Sequence, residues 1–416
     1  LVNMSKFLFR NATDVDWSAV SVSSDPNPDP NCVLAPVNLE QRCYKFGVGF
    51  YSSCVLYAHY KGGVCVCNEG RKDINGIKCV SDWWHYFFLS GATLNNHDSP
   101  KLTVQLTELQ RITAIRLSNT PGGDGSKIIF DAFAGALRDI GENENNVQLA
   151  IPVTEIVDEI PPTIINASLN MSTGSFIVIA SETIQVTPSS IVDLSLVTIH
   201  NISLVGASVV PIEGISFTII LTELQRVRAI ELSKTHGGYG SSLTVSALKG
   251  FVRDVSTNLN VRTENLFIKE IYDNLLPKIN SASLNFSDGV LIVNATETID
   301  TTPSTKVNLD KIFLSNETNA DGQFSLQRAI VTEADSTFIT ISLTETQRVH
   351  ALKISGVRGG DGASLFLSMG ANAIADVAQN QNMDQKGIFV LEYADIVLPF
   401  LLNATVDLGT GIVTIL

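Results

Sequence analysis

The chain is short of charge. Charged side chains make up 17% of its 416 residues, where soluble domains usually carry roughly 25%. Basic residues are the scarcer kind, 28 Lys and Arg against 42 Asp and Glu, for a net charge of −14. Nucleic acid is therefore excluded as a partner, because gripping a phosphate backbone takes clustered cations. Long hydrophobic runs are absent too. None approaches the about 18 residues of a membrane-spanning helix, so no membrane span is expected. Catalytic signatures are missing: there is no H-E-x-x-H, no G-x-S-x-G and no P-loop. The six histidines, His59, His85, His97, His200, His236 and His350, share no repeated position. An enzyme is not expected. Cysteine is absent from everything beyond Cys79.

What is present argues for packed, extracellular structure. Hydrophobic residues reach 44%, enough over this length to bury two or three cores and to exclude global disorder. With so little charge, something else must keep the surface wet. Nine N-x-S/T sequons offer the answer, at Asn3, Asn11, Asn166, Asn170, Asn201, Asn285, Asn294, Asn316 and Asn403; glycans on them would replace charges as the hydrophilic coat. The opening LVNMSKFLF is neither Met-initiated nor signal-like, which suggests a preceding segment.

All six cysteines, Cys32, Cys43, Cys54, Cys65, Cys67 and Cys79, fall in one window with the spacing C-x10-C-x10-C-x10-C-x-C-x11-C. An even count in so short a stretch marks a disulfide-stapled insert and an oxidising compartment. A zinc site fits poorly, because C-x-C lacks a second close pair. Spacing alone leaves the pairing open. The run CVCNEGRKDINGIKC, with Gly70 and Gly76 before the last cysteine, resembles an EGF-like module over residues 32–79. That resemblance implies the pairs Cys32–Cys54, Cys43–Cys65 and Cys67–Cys79. DPNPDPN before Cys32 only loosely imitates the acidic run of calcium-binding EGF-like modules, and calcium is not assigned there. DPNPDP (25–30) itself reads as a stiff linker.

Internal repetition dominates the rest. LTELQRITAIRLSNTPGGDGS (106–126), LTELQRVRAIELSKTHGGYGS (221–241) and LTETQRVHALKISGVRGGDGA (343–363) align without gaps. Arg111, Arg226 and Arg348 are thus equivalent, 115 and 122 residues apart. Each block is followed by D-x3-N-x-N (Asp139/Asn143/Asn145, Asp254/Asn258/Asn260, Asp376/Asn380/Asn382) and by E-x-x-D-x-x-x-P (Glu155/Asp158/Pro162, Glu270/Asp273/Pro277, Glu392/Asp395/Pro399). T-x-x-Q at the head of each block is a capping box and predicts one helical turn, with the Arg pairing locally. The GGDG segments predict tight turns rather than metal loops, and D-x3-N-x-N predicts Asx turns rather than calcium sites. WWHYFF (83–88) reads as a core strand with alternate rings inward, ahead of a sugar-stacking platform.

Short Val/Ile/Thr-rich stretches broken by Gly, Asp and Ser fill each repeat, as expected for an all-β chain of β-sandwiches. In their ordering the repeats resemble the Ig-like repeats of bacterial surface and adhesion proteins, which open with D-x-x-P-P, continue with a "SET" strand and end in a D-x-x-x-N turn. The first repeat is split. Val2, Val192 and Val307 align, as do the sequons Asn11, Asn201 and Asn316, so Leu1 corresponds to mid-repeat and two opening strands are lacking. The tail FLLNATVDLGTGIVTIL matches that opening, with Asn403 on Asn166 and Gly411 on Gly174.

The expected organisation is an incomplete Ig-like domain (1–24 and 81–160), an EGF-like insert (25–80), Ig-like domains at 161–276 and 277–398, and a donor tail (399–416). An unfinished sandwich exposes strand edges and an open core. The expectation is donor-strand complementation, in which the tail's Leu401, Leu402, Val406, Leu408, Ile412, Val413, Ile415 and Leu416 complete the first domain of the next, identical subunit head to tail. A piece of a longer covalent repeat fibre is the other origin of such ends, and a cell-surface adhesin or glycan-binding protein is the alternative function. No cofactor is expected beyond covalent N-glycans. In plan the chain resembles glycosylated surface fibrils of protists, such as mastigoneme proteins, which implies an extracellular structural filament.

Overall fold

The computed structural model describes residues 2–11, 86–95, 99–125, 127–318 and 324–415, and the backbone of strands 58–61, 64–67, 72–73 and 79–80. The chain is mostly strand with few helices. Two compact units divide it: residues 1–162 with 182–185 and 253–259, and the remainder.

The second and third repeats have the same sheet. Across the second, the strand order is Ile202–Ser203, Val197–Ile199, Thr244–Ala247, Thr263–Ile271, Ile164–Asn170, Ser175–Ile184, Gly214–Ile220 and Ser208–Val209. Across the third it is Phe324–Ser325, Ile312–Ser315, Phe366–Met369, Gln385–Tyr393, Ile279–Asn285, Val290–Ile299, Ser336–Ser342 and Ile330–Val331. Each repeat opens on a hairpin that sits in the middle of the order and pairs in parallel with the repeat's last strand, Leu169 with Glu270 and Leu284 with Glu392. Alternation decides which side faces in: Leu169, Phe176 and Val178 are fully buried, as are Leu284, Leu291 and Val293. Side chains from both ends of the order, Leu314 and Ile341 among them, share one core, so the sheet curls upon itself.

Three helices follow the capping boxes: α1 (Glu108–Ser118), α2 (Glu223–Ser233) and α3 (Glu345–Ile354). Both reciprocal bonds of the box are made at each, between Thr107 and Gln110, Thr222 and Gln225, and Thr344 and Gln347. The expectation of a single turn was too short; these helices run 11, 11 and 10 residues. The reason lies after the box, where ITAIRL, VRAIEL and VHALKI supply good helix formers and an apolar face that packs down. The same glutamine side chain ties each helix to a strand end: Gln225 Nε2 donates to Ser203 O at 2.8 Å and Val205 O at 3.0 Å, and Gln110 Nε2 to Phe88 O at 2.8 Å and Ser90 O at 2.9 Å.

The first repeat is built differently. Its strands form a four-stranded sheet ordered Tyr86–Phe88, Phe7–Asn11, Ile128–Ala132 and Gln148–Pro152, and a separate pair, Thr93–Asn95 with Thr103–Gln105. These are the equivalents of six of the eight strands elsewhere, and no described strand fills the place of the opening hairpin. Its core is correspondingly small, seven buried hydrophobic side chains against 24 in the third repeat among the described residues. Phe87 points inward and stacks on Phe9 at 5.1 Å, with Tyr86 and Phe88 half-buried to either side; Trp83, Trp84 and His85 lie outside the described residues.

Candidate functional site

A hairpin like those that open the second and third repeats stands at the other end of the chain. Ala404–Asp407 and Ile412–Ile415 pair antiparallel and form a two-stranded sheet of their own. Their register, Ala404 to Ile415 and Val406 to Val413, copies Ala167 to Val178 and Leu169 to Phe176. Even the turn is reproduced. Gly411 N donates to Asp407 O at 2.8 Å, as Gly174 N does to Asn170 O at 2.9 Å, and the residue at the turn's start caps it, Asp407 Oδ1 accepting from Gly409 N as Asn170 Oδ1 does from Ser172 N. Burial is reversed. Leu401, Val406, Leu408, Val413 and Ile415 are 77, 56, 88, 60 and 58% exposed, whereas Ile279, Leu284, Phe286, Leu291 and Val293 at the equivalent positions are at most 4% exposed. Leu402 and Ile412 are also exposed, and Leu416 lies outside the described residues.

The first repeat shows the complementary deficit. Val104 is only partly buried, but its equivalents Ile219 and Ile341 are fully buried; Val153 likewise contrasts with Val390. In the third repeat the opening hairpin lies between Gln385–Tyr393 and Ser336–Ser342. The matching edges in the first repeat are the segment after Gln148–Pro152 and the strand Thr103–Gln105. Inserting one two-stranded hairpin between the four-stranded sheet and the separate pair yields the eight-stranded order of the other repeats.

A second repeated feature lies around the helix arginines. Arg226 Nε and Nη2 donate to Glu223, both at 2.7 Å, and Nη1 to the Asp273 carboxylate at 2.6 Å and the Met171 carbonyl at 2.8 Å. Nη2 also reaches Glu297 of the following repeat, at 3.4 Å. The guanidinium is 5% exposed and the Asp273 side chain not at all. Two backbone-linked contacts complete the joint between these repeats: Thr298 N donates to Glu223 at 2.8 Å, and Asn380 Nδ2 to the Asp273 carbonyl at 3.2 Å. The first compact unit holds the same arrangement. Arg111 binds Glu108, Asp158 and Glu182, Thr183 N donates to Glu108 at 2.7 Å, and Asn258 Nδ2 to the Asp158 carbonyl at 2.9 Å.

These joints crowd carboxylates. Asp158, Glu182 and Asp254 lie together, as do Asp273, Glu297 and Asp376. Burial pushes the Glu297 carboxyl up to about 8, with Asp376 and Asp273 adding to the effect and Arg226 opposing it. Burial likewise raises Glu182 to about 7 against the pull of Arg111. One arginine cannot fully offset three desolvated acids.

The other motifs resolve into local structure. The GGDG turns wrap the glutamate of E-x-x-D: Glu155 accepts from the backbone N–H groups of Asp124, Gly125, Lys127 and Ile128 and from the Ser118 hydroxyl. Burial raises that carboxyl, and the donated bonds outweigh it and hold it below the usual range. In the middle repeat Glu270 accepts from Ser241 N, Leu243 N and the Ser233 hydroxyl, and Tyr239 N turns instead to Thr235 Oγ1, so the nest needs no Asp side chain there. Gly240 is required there, since a Cβ would lie 1.9 Å from Ser233 O. D-x3-N-x-N forms a side-chain-capped turn in every repeat, wider than the Asx turn expected: Asn143, Asn258 and Asn380 N, four residues on, donate to Asp139, Asp254 and Asp376 at 2.8, 2.7 and 2.8 Å.

Of the cysteines, Cys65 and Cys67 lie on Val64–Cys67, which pairs with Ala58–Lys61, and Cys79 on Cys79–Val80, which pairs with Lys72–Asp73. Cys32, Cys43, Cys54 and every pairing lie outside the described residues. None of the nine sequon asparagines is buried, and Asn3, Asn166, Asn201, Asn316 and Asn403 are fully on the surface. The sequence reading missed the carboxylates of the joint. Glu108, Glu223 and Glu345 stood inside the aligned blocks, and Glu182 and Glu297 inside the SET and TET strands, so their recurrence was the available signal. No protein-family model matches the chain, and no curated protein matches it.

Proposed function

We propose that this chain is a structural subunit of an extracellular, glycosylated filament, built of Ig-like sandwiches with an EGF-like insert. Copies join head to tail, the C-terminal hairpin of one completing the first repeat of the next. One observation carries this reading: the hairpin has the register of the strands that the first repeat lacks, and it exposes the side chains that the other repeats bury. Burying Leu401, Val406, Leu408, Val413 and Ile415 is worth about 10 kcal/mol before the cost of association. The contact is heterologous, and a head-to-tail contact whose rotation does not close builds a filament. The role is mechanical and not catalytic, the sequon asparagines carry the hydrophilic coat, and the site is extracellular.

Electron microscopy of the purified chain tests it. Filaments are expected from the full chain and none from a chain lacking residues 399–416, and a peptide of those residues added in excess should cap growing ends. Filaments from the shortened chain would overturn the reading.

A further inference from the structure

We infer that the contact between copies carries a second pair of matching surfaces, apart from the hairpin: the Arg348 end of the third repeat receives the Asp139–Asn143 turn of the next copy's first repeat. This rests on the head-to-tail reading and specifies what else meets there.

Within the chain, each joint has an upper and a lower half. The upper half is an arginine with the glutamate three residues before it and the aspartate of E-x-x-D. The lower half, from the following repeat, is the strand Glu-Thr pair that meets the arginine and its glutamate, and the D-x3-N turn, whose asparagine reaches the carbonyl of that aspartate. The third repeat has a complete upper half. Arg348 donates to Glu345 at 2.8 and 2.9 Å, to Asp395 at 2.9 Å and to the Phe286 carbonyl at 2.7 Å. Yet Glu345 is 71% exposed, against 34% for Glu223 at the closed joint. The first repeat has the turn of a lower half: Asn143 donates from N and Nδ2 to Asp139 at 2.8 and 3.0 Å, as Asn380 does to Asp376 at 2.8 and 2.9 Å. Asp139 and Asn143 are both exposed, whereas Asp376 is fully buried. The upper half and the turn are each formed in advance, and each lacks the other.

The linker sets the distance between them. From the joint aspartate to the first paired alanine of the hairpin is nine residues in every case, Asp158 to Ala167, Asp273 to Ala282 and Asp395 to Ala404. A hairpin seated in the next copy's first repeat therefore holds the Asp395 carbonyl against Asn143 as the internal linkers hold Asp158 against Asn258 and Asp273 against Asn380. The aspartate–asparagine contact of the internal joints is thereby repeated between copies, with Asn143 Nδ2 donating to Asp395 O.

Full-length chains carrying Asn143→Ala and Asn143→Asp test this, with the critical concentration for assembly as the readout. Loss of one hydrogen bond should raise it about fivefold for Asn143→Ala, and Asn143→Asp, which removes the donor and sets a further carboxylate against Asp395, should raise it further and in a salt-dependent way. Thermal melting of the same substitutions in chains lacking residues 399–416 should be unchanged, because the turn is exposed in the lone subunit. If both variants assemble at the wild-type concentration while the hairpin deletion abolishes assembly, the second surface is wrong and the hairpin stands. If the deletion itself assembles, the head-to-tail reading falls first.

Discussion

Val406 faces Val413 across the C-terminal hairpin, and both side chains are more than half exposed. Leu284 faces Leu291 in the same register in the third repeat, and both are fully buried. Two copies of one piece of structure thus sit in opposite environments, and substitution should separate their roles. Val406→Asp is expected to leave the melting temperature of the lone subunit unchanged and to abolish assembly, because it sets a charge where the completed core would be dry. Leu284→Ala should cost about 2–5 kcal/mol of stability in the subunit itself. Calorimetry and sedimentation on the two variants check both halves.

The crowded joint gives a pH dependence of definite sign. A glutamate in the unfolded chain releases its proton near 4.5, and folded Glu297 holds it to about 8. Between those values the folded chain binds more protons, so this group's contribution makes stability fall as pH rises. Glu297→Gln removes that contribution. The variant should be more stable than wild type by about 3 kcal/mol at pH 8.5, less than the roughly 5 kcal/mol of the full shift because solvent still screens the group, with the advantage gone by about pH 4.5. Chemical denaturation at the two pH values measures it; an equal gap at both would refute the role assigned to this carboxyl.

The architecture was legible to different depths in different places. Repeats of 115 and 122 residues and the T-x-x-Q boxes located the sheets and helices, because caps and turns are local and their residue types have local causes. Helix length was misjudged, since it is fixed by packing against the sheet and not by the cap. Arg226 was visible as a repeated arginine, but its partners lie 47 and 71 residues away, at Asp273 and Glu297. Only the fold brings them together. The tail's likeness to the two opening strands was readable from Asn403 and Gly411, but their pairing with each other and the exposure of their apolar side chains could come only from coordinates.

The low charge of the chain makes the proposed glycans open to a direct test. Treatment with an N-glycosidase should lower the mass in steps, and the surface positions Asn201 and Asn316, aligned in their repeats, should be among those modified. Stripped filaments are expected to bundle or precipitate, and light scattering follows it. Stripped filaments that stay dispersed would mean that the protein surface alone keeps them apart.

The most direct measurement is a cross-link across the new strand pairing. In the third repeat Ile292 of the hairpin pairs with Thr340. The equivalent residues are Thr414 in the tail and Thr103 in the first repeat, both exposed. Chains carrying only Thr103→Cys are mixed with chains carrying only Thr414→Cys, assembled and oxidised. The account predicts a disulfide between the two kinds of chain, seen as a dimer on a non-reducing gel and located by mass spectrometry. The neighbouring substitution Val413→Cys should cross-link poorly with Thr103→Cys, because a shift of one residue turns the side chain to the other face. Absence of the Thr103–Thr414 dimer, or a disulfide formed only within a single chain carrying both substitutions, would contradict completion of one copy by another.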